Sequence, residues 1–313
     1  MKTTVYKGIF GMKFLMAILV VIIHTTDWGL GGLTNVAVPY FFLVSGFLLF
    51  RKIRGLALPG QKSAILKWTW RAALMYLVWT LIYMPFTIYG MCMDHLTLRQ
   101  ALLQFIRNFI IVGHNYLSWP LWYLLSLVWC GVLIYLMKSA KIPLWLMFLL
   151  SAAAYVAVRE SGVMDSLFWQ RFIHDDEALI PFGMLYVTAG GLLEGFEVSQ
   201  RWDSLPKWML PTLCIVIAVA SFFLLRVSNW FLLPLAVALF ILSVTVNPAS
   251  VPVKAMEPLG YSSKIIYLTH MIFAGVLTIF LPDLGAPKTF AAVLLASCLL
   301  SLALIGVRRH FKA

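Results

Sequence analysis

The chain has 313 residues, of which 62% are hydrophobic and only 12% are charged, with a formal net charge of +12. Because soluble domains carry charge on about a quarter of their residues, this composition excludes a soluble globular protein and predicts a polytopic membrane protein. The four cysteines are scattered along the chain and fit neither a disulfide framework nor the spacing of metal ligands.

The first apolar stretch, residues 10–26, contains a lysine and a histidine separated by ten apolar residues, Lys13-x10-His24. No small-x-small cleavage site follows, so it predicts a retained first helix rather than a signal peptide. Eleven helical steps place Lys13 and His24 on nearly the same face, about 16 Å apart along the axis. A cation and an imidazole are costly in lipid, and both are therefore candidate functional residues.

The second apolar stretch, residues 35–50, carries a proline near its start and a Ser45-Gly46 pair that favours close helix approach. It leads directly into Arg51 and Arg54, which lie one helical turn apart and can converge on one anion. Two interpretations stay open: an anchor for lipid headgroups, or a cytosolic phosphate site.

Further apolar stretches predict a bundle of about ten transmembrane helices, and the amphipathic segment 98–112 predicts an interfacial or re-entrant helix. With an inner N-terminus, 18 basic residues fall on the cytoplasmic side and 6 outside. The spans predict an all-α membrane bundle that forms a single integral-membrane domain over 1–313. Their even number places both termini on one side of the membrane, and the charge bias predicts that this side is cytoplasmic. The remaining predicted spans are 70–90, 119–137, 143–158, 179–196, 208–225, 229–246, 264–281 and 289–307.

Polar and aromatic residues flank the outer end of the fourth span. Aromatic faces stack on sugar rings, and a histidine–asparagine pair can hydrogen-bond hydroxyl groups, so these residues are candidates for binding a sugar. An interfacial aromatic belt is the alternative interpretation. The residues concerned are His114, Asn115, Trp119, Trp122 and Tyr123.

Together, Lys13-x10-His24, the segment VPYFFLVSGF at 38–47 and Arg51-x-x-Arg54 resemble acyltransferase family 3. Three later segments are similar as well: WPLWYL at 119–124, IPFGMLY at 180–186 and GYSSKIIYLTH at 260–270. The segment HTTDW at 24–28 is most similar to the type that O-acetylates enterobacterial common antigen. Lys13 stands where many members carry arginine, so the charge is kept but the bidentate fork is lost.

The resemblance implies a bacterial inner-membrane enzyme that moves an acyl group, usually acetyl, from cytosolic acyl-CoA to a hydroxyl at the outer face. His24 is then expected to act as general base, or as a nucleophile through an acyl-imidazole. Asp27 is expected to orient the His24 ring or bind the acceptor. Donor-binding candidates are Lys13, Arg51, Arg54, Ser45 and His270, the last with a structural role as the alternative.

The expected co-substrate is acetyl-CoA, with no metal, and the expected partners are a glycan or lipid-linked sugar and membrane lipids, but no nucleic acid. A homo-oligomer is compatible with the sequence. Two alternatives remain open at this point. One is a secondary transporter or exporter, although the inverted halves with paired broken helices typical of transporters are not evident. The other is an acyltransferase of the same family acting on a small acceptor such as an amino acid.

Overall fold

The computed structural model describes residues 5–26, 28, 31–166, 169, 179–198, 206, 208–226, 228–246 and 251–310. Within these ranges the regular structure is helical and contains no strand, which confirms the all-α prediction. The α-helices are α1 Lys7–Thr25, α2 Ala37–Ile53, α3 Leu58–Met93, α4 Leu98–Arg107, α5 Leu121–Ser139, α6 Leu144–Glu160, α7 Leu179–Val198, α8 Met209–Leu224, α9 Leu232–Thr245, α10 Val253–Phe280 and α11 Ala286–His310.

A helix occupies each of the ten predicted spans. Within the described ranges, six stretches are long and apolar enough to cross a membrane, and three shorter apolar helices accompany them. A count of ten crossings, and cytoplasmic termini, stay predictions. The six are Lys7–Thr25, Leu33–Ile53, Leu58–Met93, Leu121–Ser139, Val253–Phe280 and Ala286–Arg308, and the shorter ones are Leu179–Gly195, Met209–Leu224 and Asn229–Thr245.

Helix α3 is much longer than the apolar stretch 70–90 from which it was predicted. It has 36 residues, begins with a proline in its first turn, and continues through the polar segment that contains Lys62 and Lys67. At ~1.5 Å per residue it is about 54 Å long, which exceeds a hydrocarbon core of about 30 Å. Part of α3 therefore extends beyond the apolar layer of any membrane that it crosses.

Helix α4 is the amphipathic helix predicted between the third and fourth spans. Thr97 and Gln100 form a reciprocal capping box that satisfies its first backbone N–H groups. The helix buries none of its side chains, and a π-helical turn at Asn108–Val112 follows it before Gly113 reverses the chain at φ +88°. Its location at a membrane interface stays a prediction.

The chain divides into two compact units, Met1–Val44 with Glu197–Ala313, and Ser45–Phe196. We call them the terminal unit and the central unit. The boundary falls inside α2, so the first half of this helix belongs to the terminal unit and the second half to the central unit. The prediction of one integral-membrane domain stays a prediction.

In the terminal unit, α1 packs along α10 and the two helices run in the same direction. Phe10 near the start of α1 fills the space above Gly260, and His24 near its end meets His270. Gly8 lies against backbone oxygens at the end of α9, where any larger side chain would overlap them. The α1–α10 contact thus sets the relative positions of Lys13, His24 and His270 along the two helices.

In the central unit, α3 packs against α5, and the second half of α2 approaches α7. Gly46 lies directly against the backbone of Val187, and Gly191 lies against the ring of Phe50. Two glycines on facing helices therefore allow the backbones to come close, as expected for small residues in membrane bundles. This close approach fixes the level of α2 relative to α7.

Candidate functional site

The centre of the candidate site is a pair of stacked imidazoles in the terminal unit. The ring centroids of His24 in α1 and His270 in α10 are 5.3 Å apart, with an angle of 23° between the ring planes. His24 is partly buried and His270 is fully buried. The structure therefore brings the predicted base and one of the predicted donor-binding residues into direct contact.

The hydrogen bond of His270 defines which of its nitrogens carries the proton. Its Nδ1 lies 3.1 Å from the carbonyl oxygen of Ile266. Because a carbonyl oxygen only accepts, Nδ1 is the donor, and in the neutral ring Nε2 presents a lone pair. Within the described part of the chain, Nε2 has no hydrogen-bond partner. A buried acceptor without a partner is rare in proteins and is a feature of functional sites.

The periodicity of α1 explains why His24 faces α10. Ile9, Met16 and Val20 are buried, and they recur at the helical spacing that forms one stripe. Lys13 and His24 fall on the same stripe, so both lie towards the interior rather than on the outer face of α1. The same-face prediction for this pair is confirmed.

An aromatic frame surrounds the His270 ring. Tyr267 lies 6.3 Å from it and meets Phe41 of α2 edge-on at 5.4 Å. The neighbouring Tyr40 is fully buried and donates a 2.8 Å hydrogen bond to Ser243 Oγ in α9. Packing against these rings restricts the rotamers of His270.

Asp27, the second predicted catalytic residue, lies outside the described residues. Its neighbour Trp28 contacts Phe290 of α11 at a centroid distance of 5.1 Å. The role of Asp27 stays a prediction that rests on sequence proximity to His24.

In the central unit, Arg54 lies beside a buried carboxylate. Its Nη1 is 2.9 Å from Glu194 Oε1, and Arg51 is also close enough to attract this carboxylate electrostatically. Glu194 is only 5% exposed, whereas the Arg54 side chain is 37% exposed. A phosphate at this arginine pair would therefore compete with an internal anion, and phosphate binding here stays a prediction.

Ser45 and Tyr123 share a hydrogen bond in the central unit, with 2.9 Å between their hydroxyl oxygens. The sequence predicts that Ser45 binds the acyl donor and that Tyr123 binds the acyl acceptor. The structure therefore brings into contact two residues that were predicted to have separate roles. Trp122, the neighbour of Tyr123, meets Phe182 of α7 edge-on at 5.9 Å. Both aromatic residues take part in helix packing, whatever else they bind.

The remaining acceptor candidates lie in or next to the loop before α5. Asn115 is buried, and its side-chain oxygen accepts a 3.1 Å hydrogen bond from Asn108, which itself accepts one from Arg107. His114 is partly buried, and Trp119 is 43% exposed. Trp119 thus exposes part of its side chain, while the side-chain oxygen of Asn115 supports the loop.

A sequence profile of the acyltransferase domain matches residues 6–307, nearly the whole chain. The chain belongs to the acyltransferase 3 family. This membership supports a membrane acyltransferase in general terms, and together with the apolar helices of the fold it suggests a multi-pass membrane protein. The enterobacterial common antigen type stays a prediction.

Among curated proteins, this acyltransferase is similar to an amino-acid racemase of Enterococcus faecalis, with 30% identity over 166 residues. The match covers 50% of this chain but only 22% of the racemase. The chain therefore spans less than a quarter of that relative. No solved structure matches the chain.

Sequence reasoning did not foresee some of the contacts that form these clusters. Glu194 is far from Arg54 along the chain, and only the approach of α2 to α7 brings them together. Likewise, Lys264 and Arg308 accompany Lys13 in the terminal unit, although α10 and α11 are distant from α1 in sequence. No local spacing signals such contacts, because they depend on how the helices pack.

Proposed function

We propose that this acyltransferase is an O-acetyltransferase of the bacterial cytoplasmic membrane. It moves an acetyl group from cytosolic acetyl-CoA to a hydroxyl of a cell-surface or lipid-linked glycan, with His24 as the general base. The observation that carries the proposal is the stacking of His270 on His24. Nε2 of His270 has no hydrogen-bond partner among the described residues. Among the described residues, no cluster of histidine, cysteine and carboxylate side chains suits a metal ion.

In the proposed reaction, a ring nitrogen of His24 takes the proton of the acceptor hydroxyl as its oxygen attacks the thioester carbonyl carbon. A C–O bond forms and the C–S bond breaks. The proton then passes from the His24 imidazolium to the leaving thiolate, so the products are an ester and a free thiol. The protein supplies proton transfer and positioning, and no oxidant or reductant is needed.

His270 supports this chemistry as a positioning residue. Its Nδ1–H is fixed by the Ile266 carbonyl and its ring covers one face of His24, so the His24 ring is restricted in orientation. A general base acts well only when its nitrogen is held within hydrogen-bond reach of the proton that it takes. The stacked ring therefore supports the role proposed for His24.

The position of Lys13 along α1 suits an acyl donor that enters from the end of the terminal unit where basic residues cluster. Lys13 lies about 16 Å along α1 from His24, a scale compatible with the extended arm between the phosphates and the thioester of CoA. The starts of α1 and α10 and the end of α11 all carry basic residues. The positive-inside tendency then places this end, and the donor, in the cytosol.

The test combines purified protein with cells. Wild-type protein is expected to release CoA from acetyl-CoA, and cells that contain it are expected to carry glycans heavier by one acetyl group. His24→Ala and His24→Gln are expected to lower transfer by about 10²–10⁴-fold, the usual contribution of general acid–base catalysis. His95→Asn is the matched control, because His95 is exposed in a loop and asparagine tolerates its φ of +53°.

Full transfer by a well-folded His24→Ala variant contradicts the proposed role of His24. Wild-type protein that neither releases CoA nor changes glycan mass contradicts the donor and the acceptor. Acid-quenched turnover followed by mass analysis of the α1 peptide separates the two mechanisms, since only nucleophilic catalysis leaves an acetyl group on His24.

A further inference from the structure

Three basic side chains from three helices converge in the terminal unit. Phe10 of α1 packs on Gly260 of α10, and because these helices run in the same direction, Lys13 and Lys264 lie about one turn further along at a similar level. Lys264 is close enough to repel Lys13 electrostatically, and Arg308 of α11 in turn repels Lys264. We call Lys13, Lys264 and Arg308 the cation cluster.

The position of Arg308 is defined by an aromatic ring rather than by an acid. Its guanidinium carbon lies 5.4 Å from the ring centroid of Tyr261, three residues before Lys264 on α10. Such a cation–π contact directs the guanidinium along α10 and keeps it near the other two cations. The Ser301–Ser262 hydrogen bond of 2.6 Å joins α11 to α10 about two helical turns before Arg308.

The cation cluster has no internal counter-charge within the described residues. None of its three members forms an ion pair with a described carboxylate. Helices α1 and α11 contain no acidic residue, and Glu257, the acidic residue of α10, makes no ion pair within the described ranges. Like charges held close together without a partner repel one another, so an external anion would stabilise this cluster.

The contrast with the central unit sharpens this conclusion. There, the arginine pair is partly neutralised by the buried Glu194. The cation cluster carries three positive charges, and Lys13 is partly buried while Lys264 and Arg308 are exposed. The cluster thus combines one partly buried charge with two exposed charges. This arrangement suits binding of the phosphate end of a larger molecule.

We propose that Lys13, Lys264 and Arg308 form an anion site for a phosphate or diphosphate group, supplied by the nucleotide end of the acyl donor. Lys264 and Arg308 thereby become donor-binding residues. Anionic lipid headgroups present the same chemistry, and the experiment below separates the two sources. The assignment to the donor rests on the proposed function, whereas the anion site itself does not.

The experiment measures binding of CoA, inorganic pyrophosphate and pantetheine to the full chain in dodecyl maltoside without phospholipid. Lys264→Gln, Arg308→Gln and the double variant are compared with Lys254→Gln, an exposed lysine of the same helix. Each cluster variant is expected to weaken CoA and pyrophosphate binding about fivefold, the upper range for an exposed charge contact. Pantetheine, which has no phosphate, is expected to bind all variants equally.

A second arm tests lipid. Protein is reconstituted with phosphatidylglycerol, repurified, and assayed for retained lipid phosphorus. If the cluster variants lose phosphatidylglycerol while their CoA affinity in detergent is unchanged, the anion is a headgroup and the donor assignment is overturned. If neither CoA, pyrophosphate nor lipid binding changes, the anion site itself is overturned.

The proposed function is judged separately, by turnover of wild-type protein. Wild-type protein that binds pyrophosphate through the cluster, but neither releases CoA from acetyl-CoA nor changes the mass of cellular glycans, leaves the anion site intact and contradicts the function. Normal turnover together with unchanged CoA affinity in the double variant supports the proposed function and overturns the assignment of the anion site to the donor. Because Lys264 and Arg308 are exposed, their replacement is expected to preserve the fold, and unchanged thermal unfolding verifies this for each variant.

Discussion

The ion pair between Arg54 and Glu194 makes an asymmetric prediction about stability. Arg54→Gln leaves a carboxylate that is 5% exposed without its partner at 2.9 Å, whereas Glu194→Gln leaves a guanidinium that reaches solvent. Breaking a fully buried pair costs about 3–5 kcal/mol, but the Arg54 side chain is 37% exposed and water screens the interaction. We therefore expect about 2 kcal/mol for Arg54→Gln and at most about 1 kcal/mol for Glu194→Gln.

The assay is thermal unfolding of the purified single and double variants in one detergent. At about 2–4 °C per kcal/mol, Arg54→Gln is expected to lower Tm by about 4–8 °C and Glu194→Gln by less than half of that. The double variant is expected to be more stable than Arg54→Gln alone, since the buried charge is gone. Lys52→Gln, an exposed neighbour on α2, controls for the loss of one positive charge. Equal losses for both single variants would refute the asymmetry and with it the burial argument.

Three further predictions concern the central unit. Gly46→Val is expected to lower Tm because its side chain would overlap the backbone of α7, at a cost of about 1–3 kcal/mol or more, whereas Gly195→Ala, which meets open space, should not. Tyr123→Phe should cost about 1 kcal/mol by removing the bond to Ser45, and an unchanged Tm would show that bond to be unimportant. Burial, together with a carboxylate partner, raises the pKa of Tyr116. Protonated Tyr116 therefore stabilises the fold below pH ~10, and this stabilisation is lost as pH rises further. The Tm of Tyr116→Phe should accordingly depend less on pH between pH 9 and 11 than the Tm of the wild-type protein.

The helices were predictable because long apolar stretches and helical periodicity are local properties of the sequence. Lys13 and His24 share a face because eleven residues complete about three turns. Helix α3 begins 12 residues before the predicted span 70–90, since hydropathy registers the apolar part of a helix and not the polar turns that continue it. Those turns are stabilised by backbone hydrogen bonds that do not require apolar side chains.

The contacts between distant helices were not predictable. The stacking of His270 on His24 depends on the level at which α10 packs against α1, which is set by Phe10 over Gly260. The partner of Arg54 depends on the close approach of α2 to α7. The sequence identified both His24 and His270 but not their contact, whereas for Arg54 it identified only the arginine and the packing supplied Glu194.

The length of α3 has a practical consequence for measuring orientation. Its two ends are separated by about 54 Å, so they are expected to meet water on opposite sides of a bilayer. Cys92 near its C-terminal end is exposed, Cys298 in the middle of α11 is partly exposed, and Cys130 and Cys214 are buried. A membrane-impermeant maleimide applied to intact spheroplasts should therefore modify the native protein at Cys92 if the basic start of α3 faces the cytosol. The thiol serves as a built-in reporter of sidedness that requires no engineered tag.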